Sequence, residues 1–407
     1  MRLKGVLLAL GAVTCAAHGP HHDGSHEQAN LWIEKYGNLP DLSFSGINTF
    51  ARLPHQKCLE DATVNFDIAV IGAPFDTSVS YRPGARFGPH GIRSGSRRHA
   101  PSRGYSIPWS FNPFKEGAKL LDCGDIPISP YDNTLAFEQM ETAYTTLLSR
   151  PVATEYAQQL GGMKALALDG KEHPRLITLG GDHSVVLPIL RALNNIYGPI
   201  SVIHFDAHID TWNHNTYVGS LTEASKITHG SFFSKASEEG LISKTSSIHA
   251  GIRTRLSEYD DLVYDEQVGF KLLTTDDLDD MGVNGIVKAI KDRVGSTPTY
   301  LSFDIDTIDP SMAPATGTPE PGGWTTREVK KILRGLNGLN FVGFDVVEVS
   351  PPYDTNAELT SMVAADLVQE FLSLLVKKGE RRPAVSGMKL NGDMSTPFQS
   401  TAAHDEL

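Results

Sequence analysis

Three short segments of the chain carry closely spaced carboxylate and imidazole side chains. Two of them alternate these residues with apolar ones, in the sequences Asp-Ala-His-Ile-Asp and Asp-Ile-Asp, and the third places a histidine after a pair of glycines. Side chains two residues apart point the same way while the backbone is extended, so each alternating segment can direct several ligands towards one point. The candidate metal ligands are His183, Asp206, His208, Asp210, Asp304 and Asp306.

The composition of this ligand set indicates two metal ions. Burying four carboxylates together is costly unless a cation compensates their charge. Oxygen and nitrogen ligands without a thiolate suit a hard or borderline divalent ion such as Mn²⁺ better than a cysteine-bound structural zinc. Four carboxylates neutralise two divalent ions, which shared carboxylates hold roughly 3.5–4 Å apart. Aspartates that merely cap helices or form turns would explain one of the segments, but not all three.

The elements around these segments predict an α/β fold. Short apolar runs alternate with helix-like segments, which is typical of a mostly parallel sheet covered by helices on both faces. Ligands in such sheets lie beyond the carboxyl ends of the strands, where the three segments fall. The helical candidates include 136–148, 326–336 and 359–377. The eight candidate strands are 68–71, 119–121, 176–179, 200–205, 247–252, 270–273, 299–303 and 341–346.

The three segments also resemble the signatures of the arginase and agmatinase family, the ureohydrolases. The resemblance extends through 309–323 and 344–351, and covers roughly 61–385. The stretches 72–76 and 81–89 look like the agmatinase branch in particular. The resemblance implies the three-layer α/β/α arginase-like fold, with a central sheet of about eight strands.

The resemblance further implies two Mn²⁺ ions per subunit. The implied ligands are His183, Asp206, Asp210 and Asp304 for one ion, and Asp206, His208, Asp304 and Asp306 for the other. Asp210 would also orient the water that attacks the substrate. Glu348 is similar to the family's guanidinium-binding glutamate, and His229 to the histidine that protonates the departing amine. Family members commonly form trimers or hexamers, so we expect a homo-oligomer.

The implied reaction is hydrolysis of a linear guanidino compound to an amine and urea. Agmatine, which would give the polyamine putrescine, is the leading candidate; 4-guanidinobutyrate and arginine are alternatives. The loop 211–228 is long for this branch and borders the family's pocket, so it bears on substrate choice. His214 within it is interpreted as a solvated loop residue, or otherwise as a rim contact. Two alternative hypotheses place the protein in other functional classes: a metal-dependent deacetylase with one zinc ion, or a non-catalytic lumenal binding protein.

Charge and composition agree with a small cationic substrate. The formal net charge is −12, which argues against nucleic acid as a partner. After the N-terminal apolar run, no stretch is expected to be long and apolar enough to span a membrane. Cys58 and Cys123 could form a bridge in an oxidising compartment or stay as two thiols.

The two ends of the chain predict its compartment. Residues 1–17 have the charged start, apolar run and small-residue cleavage site of a signal peptide. The last four residues, His-Asp-Glu-Leu, match a retrieval signal of the endoplasmic reticulum. We therefore expect a lumenal protein, with secretion as the alternative. The predicted domains are an extension at 18–60 that starts with a histidine-rich tract, a catalytic domain at 61–385 and a polar tail at 386–407.

Overall fold

A computed structural model describes residues 29–154 and 167–377. The predicted signal peptide, the histidine-rich tract and the polar tail ending in His-Asp-Glu-Leu lie outside the described residues. The chain divides into two units, 1–46 and 47–407. In the first unit, helix α1 (Leu31–Tyr36) is exposed and pairs the rings of Trp32 and Tyr36 at 4.8 Å between centroids.

The second unit is built on one sheet in which every described strand pair is parallel. The strand order across the sheet is β2-β1-β3-β8-β7-β4-β5-β6. Every residue of the six inner strands is buried, whereas the two edge strands are partly exposed. The strands are β1 (Ile68–Gly72), β2 (Leu120–Asp125), β3 (Arg175–Leu179), β4 (Ser201–Phe205), β5 (Ser247–Ile252), β6 (Phe270–Thr274), β7 (Thr299–Asp304) and β8 (Phe341–Val347).

Helices cover both faces of this sheet. Successive residues of a strand alternate between two apolar cores: Ile68 and Val70 pack into one, and Ala69 and Ile71 into the other. The first core is closed by α2 and α7 to α9, and the second by α3 to α5. The helices are α2 (Gly88–Gly95), α3 (Asn133–Leu148), α4 (Val186–Tyr197), α5 (Phe232–Glu238), α6 (Asp260–Val268), α7 (Asp277–Val294), α8 (Thr326–Gly335) and α9 (Leu359–Val376). The predicted three-layer α/β/α architecture is confirmed.

Two expectations about individual elements are wrong. Strand β2 was predicted to end at 121, but it continues to Asp125. The guanidinium of Arg93 pairs with Asp122 at 2.8 Å and with Asp125 at 2.6 Å, so these carboxylates can lie in a strand that the apolar pattern does not reveal. Helix α9 is long and apolar enough to span a membrane, contrary to expectation. Most of this helix is buried inside the unit, which accounts for its apolar composition.

Residues 47–60 of the predicted extension contribute to this unit. Phe50, Ala51 and Leu53 are buried in the first core, and the Phe50 N–H donates to Asp122 at 2.7 Å. Cys58 forms a disulfide with Cys123 on β2, with 5.3 Å between their Cα atoms. The bridge closes a loop of 65 residues and ties this segment to the sheet.

Replacing both cysteines by serine should lower the free energy of unfolding by about 4 kcal/mol, because the bridge restricts the unfolded chain over this long loop. Urea denaturation of the wild type and of the Cys58→Ser/Cys123→Ser variant measures the difference. A reductant should shift the midpoint of the wild type and leave that of the variant unchanged. Equal midpoints for both proteins without reductant would contradict a stabilising bridge.

Candidate metal centre

The predicted ligands lie at the carboxyl ends of neighbouring strands in the middle of the sheet. His183 follows β3, Asp304 ends β7 and Asp206 follows β4, while Glu348 follows β8. These four strands are adjacent in the order β3-β8-β7-β4. Residues from 183 to 348 in the sequence therefore meet at one point, as expected for a parallel sheet.

The His183 ring lies at the centre of the first group of ligands. Its Nδ1 atom is 3.1 Å from Asp206 Oδ2, 3.1 Å from Asp210 Oδ2 and 3.2 Å from Asp304 Oδ2. Yet this buried nitrogen has no hydrogen-bond partner among the described residues. The other ring nitrogen, Nε2, is 2.8 Å from Ser302 Oγ, which in turn donates to Asp345. A proton on Nε2 leaves the Nδ1 lone pair pointing at three carboxylates, which is how a metal ligand is prepared.

The His208 ring forms the second group. Its Nδ1 atom is 3.2 Å from Asp206 Oδ1 and 3.0 Å from Asp306 Oδ2. Its Nε2 atom faces Glu320 Oε1 at 3.7 Å. Asp206 therefore belongs to both groups, one carboxylate oxygen towards each histidine. All six predicted ligands are brought together.

The electrostatics of this cluster favour bound cations. Burial raises the pKa of Asp210 to about 6, and the Asp206 charge adds to this. Burial also raises the pKa of Asp304 well above its usual range, together with the charges of Asp306 and Asp206. Burial disfavours the charged form of His183, but its three carboxylate partners outweigh this and raise its pKa well above the ordinary value. The carboxylates cannot all ionise next to one another without a compensating positive charge.

Local backbone geometry positions two of the side chains. Asp210 and Glu348 adopt left-handed conformations, with φ of 53° and 59°. Such conformations cost of order 1–3 kcal/mol for residues other than glycine and are found at functional sites. At Asp210 the left-handed turn breaks the extended backbone, so alternation along the chain does not by itself explain why its carboxylate reaches His183.

A close approach of two backbone segments holds the loop that carries His183. A Cβ atom on Gly181 would lie 1.8 Å from the carbonyl oxygen of Phe75, so only glycine fits there. The Asp182 N–H donates to that same oxygen at 2.7 Å. The Asp182 carboxylate accepts from the N–H of Ser184 and from the N–H of Ser78, which fixes the turn that presents the histidine.

Glu348 and His229 lie beside the first group. Glu348 is 1% exposed, and its Oε1 atom accepts from the His183 N–H at 2.8 Å and lies 3.0 Å from His229 Nδ1. Its Oε2 atom is buried and has no hydrogen-bond partner in the part of the chain that the structure describes. Gly317 borders this oxygen: a Cβ on Gly317 would lie 3.9 Å from Glu348 Oε2, and only 2.6 Å from the carbonyl oxygen of Arg82. A buried, unpaired carboxylate oxygen is costly and is suited to receive a cationic group.

The comparisons with known proteins identify the family. The model of the arginase family matches residues 66–373. A putative agmatinase of Schizosaccharomyces pombe is 53% identical over 337 residues, which are 83% of this chain and 84% of that protein. The chain belongs to the arginase family. It is also 35% identical to a guanidinobutyrase of Pseudomonas aeruginosa, over 82% of this chain and 93% of that protein.

A solved structure extends this likeness to the fold. The proclavaminate amidino hydrolase from Streptomyces clavuligerus superposes with a TM-score of 0.69 at 35% identity, covering 82% of this chain and 98% of that one. The arginase family is metal-dependent, and the histidine and aspartate cluster described above could bind metal. The chain is therefore a hydrolase of this family.

The long loop 211–228 packs against the site, and the expectation for His214 is wrong. His214 is 2% exposed: its Nδ1 atom is 2.8 Å from Ser234 Oγ and its Nε2 atom 3.3 Å from Glu238. It holds the loop to helix α5 and is not a solvated residue. Tyr217 of the same loop packs on Gly230, where a Cβ would lie 2.9 Å from the Tyr217 hydroxyl.

Several residues that surround the ligands were not predicted. His204 Nε2 lies 2.9 Å from Asp206 Oδ2, and His204 belongs to the same candidate metal group as His183. Its signal in the sequence was a histidine within a buried apolar strand. Ser302 lies in the predicted strand 299–303 and Glu320 in the stretch 309–323, but only the folded chain shows which ring nitrogen each of them contacts.

His229 is held between Glu348 and Ser80. Burial lowers its pKa, but the carboxylate of Glu348, with those of Asp210 and Asp182, outweighs this and raises the pKa to about 9. On the far side of the ring, Nε2 is 2.9 Å from the Ser80 nitrogen and 2.7 Å from Ser80 Oγ. The Ser80 backbone N–H donates to Nε2, so this ring nitrogen accepts a hydrogen bond from Ser80.

Glu348→Gln should lower the pKa of His229, because it removes the carboxylate that most stabilises the imidazolium. An NMR titration of the histidine ring in chelator-treated protein measures this, with a midpoint near 9 expected for the wild type. His214, which contacts Glu238 instead, serves as the internal control and should titrate alike in both proteins. An unchanged midpoint for His229 in the variant would contradict the assigned partner.

Proposed function

We propose that the protein is an agmatinase, which hydrolyses agmatine to putrescine and urea with the help of two Mn²⁺ ions. One observation carries this proposal: the unpaired Oε2 atom of buried Glu348 lies beside a cluster of metal-type ligands. A guanidinium group is planar and presents paired N–H donors, which match a carboxylate. A guanidinium bound to Glu348 would therefore be held next to the ligand cluster.

The ligand set suits two divalent cations. His183, Asp206, Asp210 and Asp304 would hold one ion, and Asp206, His208, Asp304 and Asp306 the other. This set holds no thiolate, which favours Mn²⁺. Its four carboxylates would neutralise the charge of two such ions. When bound, the ions would supply Lewis-acid activation of the attacking water.

The remaining residues would orient the substrate and move a proton. The Glu348 carboxylate would fix the guanidinium so that its carbon faces the cluster. The carboxylate of Asp210 would orient the attacking water. As a C–O bond forms and a C–N bond breaks, His229 would give a proton to the departing amine, and the Ser80 backbone N–H would hold the ring at Nε2. The products are urea and the free amine.

Agmatine is favoured over other guanidino compounds by the 53% identity with the putative agmatinase. A specific observation supports 4-guanidinobutyrate as the second candidate. An acid-tailed substrate requires a cation near the pocket, and Arg82 is an exposed cation whose guanidinium lies over the rings of Tyr81 and Tyr353, at 5.0 and 5.7 Å. Its carbonyl oxygen is close to Gly317, which borders Glu348.

Purified protein supplied with Mn²⁺ should contain two ions per chain and release urea from agmatine faster than from 4-guanidinobutyrate or arginine. Elemental analysis and a parallel urea assay measure both quantities. Chelation should abolish urea release, and added Mn²⁺ should restore it. Glu348→Gln should lower kcat/KM for agmatine at least about 100-fold, because a buried charged partner of the substrate is lost.

Glu370→Gln is the matched control. Glu370 is also a buried carboxylate paired with a guanidinium, that of Arg334, but it lies on α9. Its loss should reduce stability without lowering urea release at a temperature where the protein is folded. One zinc ion per chain, or no urea released from any of the three substrates, would contradict the proposal. Faster release from 4-guanidinobutyrate would replace agmatine as the substrate.

We also propose that the protein resides in the lumen of the endoplasmic reticulum as a homo-oligomer, a trimer or hexamer. The disulfide supports an oxidising compartment, where such bonds persist. Microscopy of the tagged full chain should detect it in the reticulum, and removal of residues 404–407 should lead to its secretion. Unchanged retention of the shortened chain would count against this address.

A further inference from the structure

A line of buried polar side chains connects the metal cluster to helix α6. His204 Nε2 lies 2.9 Å from Asp206 Oδ2, and His204 Nδ1 lies 2.8 Å from His249 Nδ1. His249 Nε2 lies 2.9 Å from Oδ1 of Asp265, which belongs to α6. His204 and His249 are 0% exposed and Asp265 is 2% exposed, so solvent plays no part in these contacts.

The sheet fixes the two histidines against each other. They are direct register partners on the neighbouring strands β4 and β5. The His249 ring stacks on Phe270 with 3.9 Å between centroids and 8° between planes. Stacking leaves the His249 ring little freedom to rotate. Because its Nε2 atom contacts Asp265, its Nδ1 atom points towards His204.

Asp265 also reaches the other end of the same ligand segment. Its Oδ1 atom accepts a hydrogen bond from Thr211 Oγ1 at 2.6 Å, in addition to the contact with His249. Thr211 directly follows Asp210, whose left-handed backbone places its carboxylate beside His183. This oxygen therefore holds Thr211, beside Asp210, by a hydrogen bond. It reaches Asp206 through His249 and His204, and the last step of that line is a 2.9 Å contact between atoms that make no hydrogen bond among the described residues.

We propose that Asp265 is a positioning residue for the metal centre, acting on Asp206 through His249 and His204, and on Asp210 through Thr211. It touches neither the substrate nor the ligand oxygens. Groups that orient metal ligands in this way typically change metal affinity 10- to 100-fold when they are replaced. The inference rests on the proposed function, because it needs a cation at the cluster.

The test measures Mn²⁺ binding by isothermal titration calorimetry of chelator-treated protein, without any substrate. Asp265→Asn, which keeps the shape of the side chain, should raise the Mn²⁺ dissociation constant about 10- to 100-fold. Thr211→Val should also raise it, whereas Thr211→Ser, which retains the hydroxyl, should restore the wild-type value. Because both contacts use one oxygen atom, the Asp265→Asn/Thr211→Val double variant should lose less than the product of the two single effects.

Glu370→Gln is again the control, since it removes a buried charge away from the cluster and a general loss of stability should leave Mn²⁺ affinity unchanged. Wild-type protein that binds no Mn²⁺ would overturn the proposed metal centre itself. Wild-type binding with an unchanged dissociation constant for Asp265→Asn would overturn the positioning role alone. If Asp265→Asn does not fold, an unchanged value for Thr211→Val overturns it, and an increase that Thr211→Ser reverses supports it.

Discussion

Repulsion among buried carboxylates is the constraint on which the rest of this structure depends. Four aspartates meet where water cannot solvate them, and their ionised forms are stable together only with positive charge between them. The fold holds them there nonetheless, at the ends of strands that are themselves buried on both faces. The fold thereby loses some stability but gains a site that could bind a cation. Hydrolysis of an unreactive guanidinium requires such a site.

The surrounding residues keep this unfavourable arrangement from relaxing. Ser302 holds one imidazole ring and Glu320 faces another, so that each directs its Nδ1 atom at the carboxylates. The left-handed turns at Asp210 and Glu348 would be lost if the chain could move freely. The Phe233 N–H bonds the Asp210 carbonyl, and the Glu348 N–H bonds that of Gly181, so both turns are tied to neighbouring elements.

Much of the fold and of the ligand set is readable from the sequence because the signals are local. Apolar runs mark strands buried on both faces, and the six ligands are adjacent to such runs. The features that were missed depend on partners distant in the chain. Asp122 and Asp125 lie within a strand because Arg93 pairs with them, and His214 is buried because Ser234 satisfies it. The contact of His249 with His204 follows from strand register, which no local pattern specifies.

The strand order has a consequence for biosynthesis. The cluster draws on β3, β4 and β7, and Glu348 follows β8, the last strand to leave the ribosome. A nascent chain that has formed only its first six strands lacks Asp304 and Asp306, and a chain that has not inserted β7 and β8 between β3 and β4 has its ligands far apart. A cation could therefore meet all six of these residues only after the central sheet has closed.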